Sequence, residues 1–231
     1  HPVVEKNLTS RFVPNSLQIN KGQAWVLTGP NMAGKSTLMR QVALIQIMAQ
    51  IGSFVPAEGA QLPIMDAVYT RIGANDSLSE GLSTFMVEMK ETAELLNEAT
   101  SSSLILLDEI GRGTATYDGL SLAEAILEYS VQKIKGYTLF ATHYHEITAM
   151  AKQNPKLIRN GHMEIVADES NDQNQSVTDQ GIQFSYIFKE GSVGRSYGIQ
   201  VAELAGLPDS LIQKAKLSLK QKESNKTTSK L

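Results

Sequence analysis

The chain has 231 residues, 42% of them hydrophobic, with 21 basic and 24 acidic side chains for a formal net charge of −3. That is enough apolar material for a core and excludes general disorder, while no apolar run approaches the roughly 20 residues of a membrane-spanning helix, so no membrane partner is expected. With no cysteine, disulfides, thiolate metal sites, iron–sulfur clusters and a cysteine nucleophile are excluded, and a cytoplasmic setting fits the thiol-free composition.

The opening His1-Pro2, without an initiator methionine or leader, is expected of a segment excised from a longer chain. Residues 23–28 read as a short buried strand. It runs into Gly29-Pro30-Asn31-Met32-Ala33-Gly34-Lys35-Ser36, followed by Thr37. Leu38, Val42, Ile45 and Ala49 then recur at helical spacing. Met86, Met89, Ala93 and Leu96 predict a second helix, with Lys90, Glu91 and Glu94 on its outer face. Leu104 to Leu107 is a continuous apolar run, as in a strand covered on both faces. Residues 120–131 predict a third helix, apolar almost all round and therefore well covered. Residues 137–142 predict another strand. This alternation gives an α/β expectation: a mostly parallel sheet with helices on its faces.

Further on, residues 157–166 and 182–188 are strand-like, separated by a polar, aperiodic stretch at 168–181 expected to be a flexible loop. A helix is expected over 200–205. Gly206-Leu207-Pro208 breaks it, and Asp209 or Ser210 caps the next. Residues 223–231 are expected to be a disordered tail. Lys214, Lys216, Lys220, Lys222, Lys226 and Lys230 stand against Glu223 alone in this end. A solvated face is the plainer reading of that charge, and direct contact with DNA the sharper one.

The segment from Gly29 to Ser36 has the spacing of a phosphate-binding loop. Two glycines let the backbone fold around an anion. Loop N–H groups and the following helix N-terminus favour negative charge. Lys35 supplies a cation for β- and γ-phosphates, and the Ser36 hydroxyl suits Mg²⁺. A glycine turn capping an ordinary helix is the plain alternative, but the strand before and helix after favour a nucleotide. The guanine-reading pattern Asn-Lys-x-Asp is absent, which leans towards ATP. Asp108 and Glu109 end the apolar strand. Asp108 is placed to support Mg²⁺ through water, and Glu109 to orient or deprotonate a water at the γ-phosphate. Ser83, at the start of the second helix, is either a simple N-cap or an anion-binding end offered to a nucleotide on a second subunit. His143 ends the strand 137–142, where a γ-phosphate sensor would lie. With His145 and Glu146 it could instead suggest a metal site, although the spacing is not that of a helical zinc motif.

Together, Thr28-Gly-Pro-Asn-Met-Ala-Gly-Lys-Ser-Thr37, Ser83-Thr-Phe-Met-Val-Glu-Met89, Leu107-Asp-Glu-Ile-Gly-Arg-Gly-Thr114 and Ala141-Thr-His-Tyr144 resemble the ATPase domain of the MutS family of DNA mismatch repair proteins. His1-Pro-Val-Val4 and Ser196-Tyr-Gly198 resemble its flanking segments. Ala33 departs from the glycine usual there and fits only at negative φ. The resemblance implies an ABC-type P-loop ATPase over residues 1–195, a helix-turn-helix dimerisation segment over 196–222, and the tail over 223–231. It implies ATP or ADP and Mg²⁺ as ligands. Gly29, Pro30, Asn31, Met32, Ala33, Gly34, Lys35, Ser36 and Thr37 would form the phosphate loop, with Phe12 stacking on adenine. Ser36 and Asp108 would serve the metal, Glu109 the general base and His143 a switch, while Ser83 acts across a homodimer. The implied partners are a second copy, a MutL-type downstream protein, and mismatched DNA through domains this segment lacks. Rival readings are an ATPase of another ABC-like class, whose usual Gly-Gly-Gln signature is missing, and a non-hydrolysing module, which Glu109 argues against.

Overall fold

The computed structural model describes residues 1–9, 11–30, 32–73, 83–167, 182–192 and 197–228. Asn31, Ser196 and the stretch 168–181, expected to be a flexible loop, lie outside them. Six strands form one sheet in the order β2-β3-β4-β1-β5-β6: β1 (Ala24–Thr28), β2 (Val68–Arg71), β3 (Leu104–Asp108), β4 (Tyr137–Ala141), β5 (Ile158–Ala167) and β6 (Ile182–Glu190). The chain is mixed α/β. β1 pairs in parallel with β4 and β5, and β3 with β2 and β4. All of β1 and all but the last residue of β3 are buried. Such strands are covered on both faces, which is why they read as unbroken apolar runs. β2 escapes a periodicity reading because it is four residues long and only partly buried.

The main helices are α1 (Val4–Asn7), α2 (Lys35–Gln50), α3 (Thr84–Glu98), α4 (Thr116–Tyr129) and α5 (Ala149–Gln153). Val26, Ile105, Leu107 and Phe140 from the sheet meet Leu95 of α3 and Ala123, Ile126 and Leu127 of α4 in the core. Two helix faces differ from the sequence expectation. In α2 the buried set is Lys35, Leu38, Met39, Gln41, Ala43 and Gln46, and in α3 it is Glu88, Thr92 and Leu95. Polar groups with internal partners take part in the buried face of each. α4 is not covered all round, since Tyr117, Leu122 and Tyr129 reach solvent. On β1, Trp25 stands edge-on to Phe188 of β6, with ring centroids 5.2 Å apart. The two rings close over Gly161 of β5, where a Cβ would collide with the Phe188 ring.

The chain divides into two compact units: His1–Glu164 with Tyr186–Gly194, and Ile165–Ser185 with Arg195–Leu231. In the second, α6 (Gly198–Leu204) and α7 (Asp209–Thr228) are joined through Gly206, at φ 81. They are also clasped by Lys216 Nζ, which donates to both carboxylate oxygens of Glu203 at 2.8 and 3.0 Å. α7 runs on to Thr228, into the stretch 223–231 expected as a tail, and residues 229–231 lie outside the described residues. Among the described residues no helix is long and apolar enough to cross a membrane.

Candidate active site

The sheet order sets β4 between β1 and β3. Parallel strands end on the same side, so the segments following Thr28, Asp108 and Ala141 emerge side by side. Glu109 N donates to Ala141 O at 2.9 Å and Thr142 N to Leu27 O at 3.0 Å, which ties the three strand ends together.

After β1 the loop turns at Gly29 (φ 123) and Gly34 (φ 104), with Met32 also left-handed at φ 73. The glycines are needed here, since L side chains rarely adopt these values. Ala33 is buried, is not among the residues with positive φ, and donates its N–H to Pro30 O at 3.3 Å. The alanine therefore meets the condition that its departure from glycine imposed. Lys35 opens α2 and is only 4% exposed. Its Nζ donates to Gly29 O at 2.6 Å and Pro30 O at 3.1 Å, so the ammonium lies inside the curl of the loop. Burial pushes Lys35 below the ordinary lysine range, and the Glu109 and Asp108 carboxylates partly counter it.

Ser36 Oγ donates to Asp108 Oδ2 at 2.5 Å. This bond links the glycine loop to the end of β3 across the intervening strand. The other Asp108 oxygen, Oδ1, is buried without a hydrogen-bond partner. A buried carboxylate oxygen left unsatisfied is costly, and a hard cation with oxygen ligands would satisfy it. Glu109 sits at φ 59, and its Oε2 pairs with Arg112 Nη1 at 2.6 Å. Burial raises its pKa above the ordinary carboxylate value, while Arg112 and Lys35 hold it down. His143 follows β4 at the surface. Partial desolvation, then the positive charges of Arg112 and Lys35, pulls it below the ordinary imidazole value.

A cavity of about 380 Å³ opens beside the loop. Its walls include Phe12, Pro30, Met32, Gly34, Lys35, Ser36, Thr37 and Glu109 from the sequence expectation. Asp108, His143 and Ser83 do not line it. Ser83 is exposed and caps α3, its Oγ accepting from Met86 N at 3.2 Å, so within one chain it performs the plain capping role. The cavity also has walls that sequence reasoning missed: Val4, Leu8, Met163 and Tyr186. Tyr186 lies on β6 at φ 56. Its carbonyl accepts from Asn15 Nδ2 at 2.8 Å, and Asn15 Oδ1 accepts from Phe188 N at 2.7 Å. Asn15 thereby fastens the Phe12 segment to β6, and an aromatic in a distant strand gave no signal of this. Among the described residues no group of three or more His, Asp or Glu side chains could hold a metal ion by itself, so the reading of His143, His145 and Glu146 as a metal site gains no support.

A charged, glycine-curled loop bonded to a carboxylate strand end, with a cavity of mixed apolar and polar lining alongside, suits a ligand that carries an anionic group. Comparison with known proteins places the chain in a family. The family model described as MutS domain V matches residues 25–223. The DNA mismatch repair protein MutS of Bacillus licheniformis is 53% identical over 226 residues, covering 97% of this chain and 25% of its own length. That of Solibacter usitatus is 52% identical over 228 residues, 96% of this chain and 25% of its own. That of Acetivibrio thermocellus is 51% identical over 235 aligned positions, 100% of this chain and 26% of its own. The chain thus spans about a quarter of the length of the relatives it matches. With the model covering most of the chain and half of all aligned residues identical in each of these relatives, the chain belongs to the MutS domain V family.

Proposed function

We propose that this chain is the ATP-hydrolysing segment of a MutS-type mismatch repair protein, a P-loop ATPase of ABC-like design. The observation that carries the reading is the Ser36–Asp108 hydrogen bond at 2.5 Å, with Lys35 folded into the loop beside it. These are the contacts a Mg²⁺–nucleotide site requires between its phosphate loop and its acidic strand.

The adenine would occupy the cavity, against Phe12 and Tyr186. The phosphates would take over the Lys35 ammonium from the Gly29 and Pro30 carbonyls. Ser36 Oγ and the unpartnered Asp108 Oδ1 are the oxygens that would hold Mg²⁺, which when bound neutralises phosphate charge. Glu109, whose raised pKa makes it a better proton acceptor than an ordinary carboxylate, would orient and deprotonate the attacking water. His143, whose pKa is lowered first by desolvation and then by the Arg112 and Lys35 charges, would hydrogen-bond the γ-phosphate. Ser83 would act in trans, giving up its cap bond to Met86 to reach the γ-phosphate on a second copy. Mismatched DNA and a MutL-type protein would be engaged through other parts of the longer polypeptide, under control of this segment's nucleotide state.

The test is a set of variants measured by calorimetry with Mg²⁺ and ATP and by steady-state turnover. Lys35→Ala removes a charge-assisted contact worth about 1.5–3 kcal/mol, so ATP should bind about 10–100-fold more weakly. Unchanged affinity would show that the loop does not bind the phosphates. Mixing Lys35→Ala with Ser83→Ala should restore part of the activity, because one of the two shared sites in the heterodimer then carries neither defect. No recovery in a mixture shown to contain heterodimers assigns Ser83 to its helix cap alone.

A further inference from the structure

The loop that follows β3 is gripped on both sides of one residue. Gly111 N donates to Glu88 Oε1 at 2.6 Å, and Gly111 O accepts from the Tyr144 hydroxyl at 2.9 Å, both buried. Glu88 belongs to α3, the helix that Ser83 caps, and is only 7% exposed. The loop touches that helix again at Gly113, where a Cβ would stand 2.9 Å from Phe85 Cβ. From behind, α4 closes in: a Cβ on Gly111 would lie 2.5 Å from Gly119 O. Residues 109–113 therefore fill a slot between α3, α4 and Tyr144.

The slot decides the shape of the loop. Glu109 (φ 59) and Gly111 (φ 88) are both left-handed, with the fully buried Ile110 between them. A glutamate rarely adopts such a backbone, and it persists only where the surroundings over-determine it. A carboxylate buried on a helix is itself unfavourable unless its hydrogen bonds are made. The partner of Glu88 is not a side chain but the peptide two residues beyond Glu109. From Ser83 to Glu88 is about 7.5 Å along one rigid helix.

We propose that Glu88 is a positioning residue that locks the Glu109 loop to α3, so that engagement of the α3 N-terminus by a partner's nucleotide is carried to the base of this chain's own site. The inference rests on the reading of Glu109 as general base and Ser83 as a trans contact. Glu88 touches no substrate in this scheme. It acts by fixing where the Glu109 carboxylate stands, and misplacement of about 1 Å can cost about 100-fold in rate.

The experiment measures kcat, ATP affinity and ATP-driven association of the full chain. Glu88→Ala should lower kcat about 10–100-fold while ATP affinity stays within about twofold and association persists. Glu88→Gln, which keeps an acceptor oxygen for Gly111 N–H, should return kcat to within about threefold of the parent. A role in general stability alone would not separate kcat from affinity in this way. If Glu88→Ala turns over normally, the proposal is overturned. It is overturned equally if a folded Glu88→Gln is as impaired as Glu88→Ala. Should the alanine variant not fold, Glu88→Asp withdraws the acceptor by one methylene, and normal turnover there overturns it too. Glu109→Gln is measured alongside: normal turnover in that variant overturns the base assignment itself, whereas an inactive Glu109→Gln beside an unimpaired Glu88→Ala removes only the positioning role.

Discussion

Gly111→Ala tests the slot directly. The new Cβ would stand 2.5 Å from Gly119 O and 2.9 Å from Gly119 C and Cα. Ordinary carbon–oxygen contact begins at roughly 3.3 Å, so α4 and the loop must part by roughly 0.8 Å. The obstacle is helix backbone, which cannot rotate aside as a side chain would. Overpacking of this kind costs typically about 1–3 kcal/mol, and an L-residue held at φ 88 adds about 1–2 kcal/mol. A destabilisation of about 2–5 kcal/mol follows, before any loss of the buried bonds to Glu88 and Tyr144. Trp25, the single tryptophan of the chain, is 1% exposed and belongs to the same compact unit. Urea unfolding followed by its fluorescence should show a lower midpoint at unchanged slope. Turnover at a temperature where the variant remains folded should fall as well, because the displaced loop carries Glu109, the base proposed above. An alanine variant within about 0.5 kcal/mol of the parent, the range of an ordinary surface substitution, would refute the close approach and with it the slot.

Glu109→Gln should stabilise the fold at neutral pH. Its raised pKa means the folded chain holds the proton more tightly than the unfolded chain, so parental stability falls as pH rises from the ordinary carboxylate range through the raised value. The Gln variant escapes that fall, and its advantage should be present at about pH 7 and vanish near about pH 4. A constant difference across that range in parallel urea titrations would rule out the titration as its source. For association, Leu204, Leu207 and Leu211 are exposed whereas Ile212 is 1% exposed. Leu211→Glu, with Ile212 left intact to preserve the α6–α7 pair, should weaken self-association about tenfold or more, given about 1.5–3 kcal/mol for a buried leucine. A parent that sediments as a monomer at every concentration, with and without ATP, would refute it.

The parts of this molecule legible in its sequence are those whose physics is local. The glycines around Lys35 announce the curl of the loop because only they tolerate its φ values, and the strands at Leu104–Asp108 and Ala24–Thr28 announce themselves as apolar runs. Glu88 and Thr92 were hidden for the converse reason. A charged or hydroxylated residue in a helix reads as outward-facing, and the group that justifies burying Glu88 lies 23 positions away at Gly111. The cavity wall at Met163 and Tyr186 was equally silent, since it forms only when β5 and β6 are laid beside β1. Position 33 shows an intermediate case: the sequence could state the condition on φ but not whether it was met.

The backbone at Glu109 sets stability against chemistry. A left-handed glutamate costs about 1–2 kcal/mol relative to glycine at the same φ, and its partly desolvated carboxylate adds to the strain. Glycine at position 109 would relieve both at once. A selection for thermal resilience alone should therefore reach this position early, and, with Glu109 as the base proposed above, each variant it favours there would bind nucleotide without consuming it. Heat-hardened descendants of this chain would drift towards inert binders unless turnover were selected alongside.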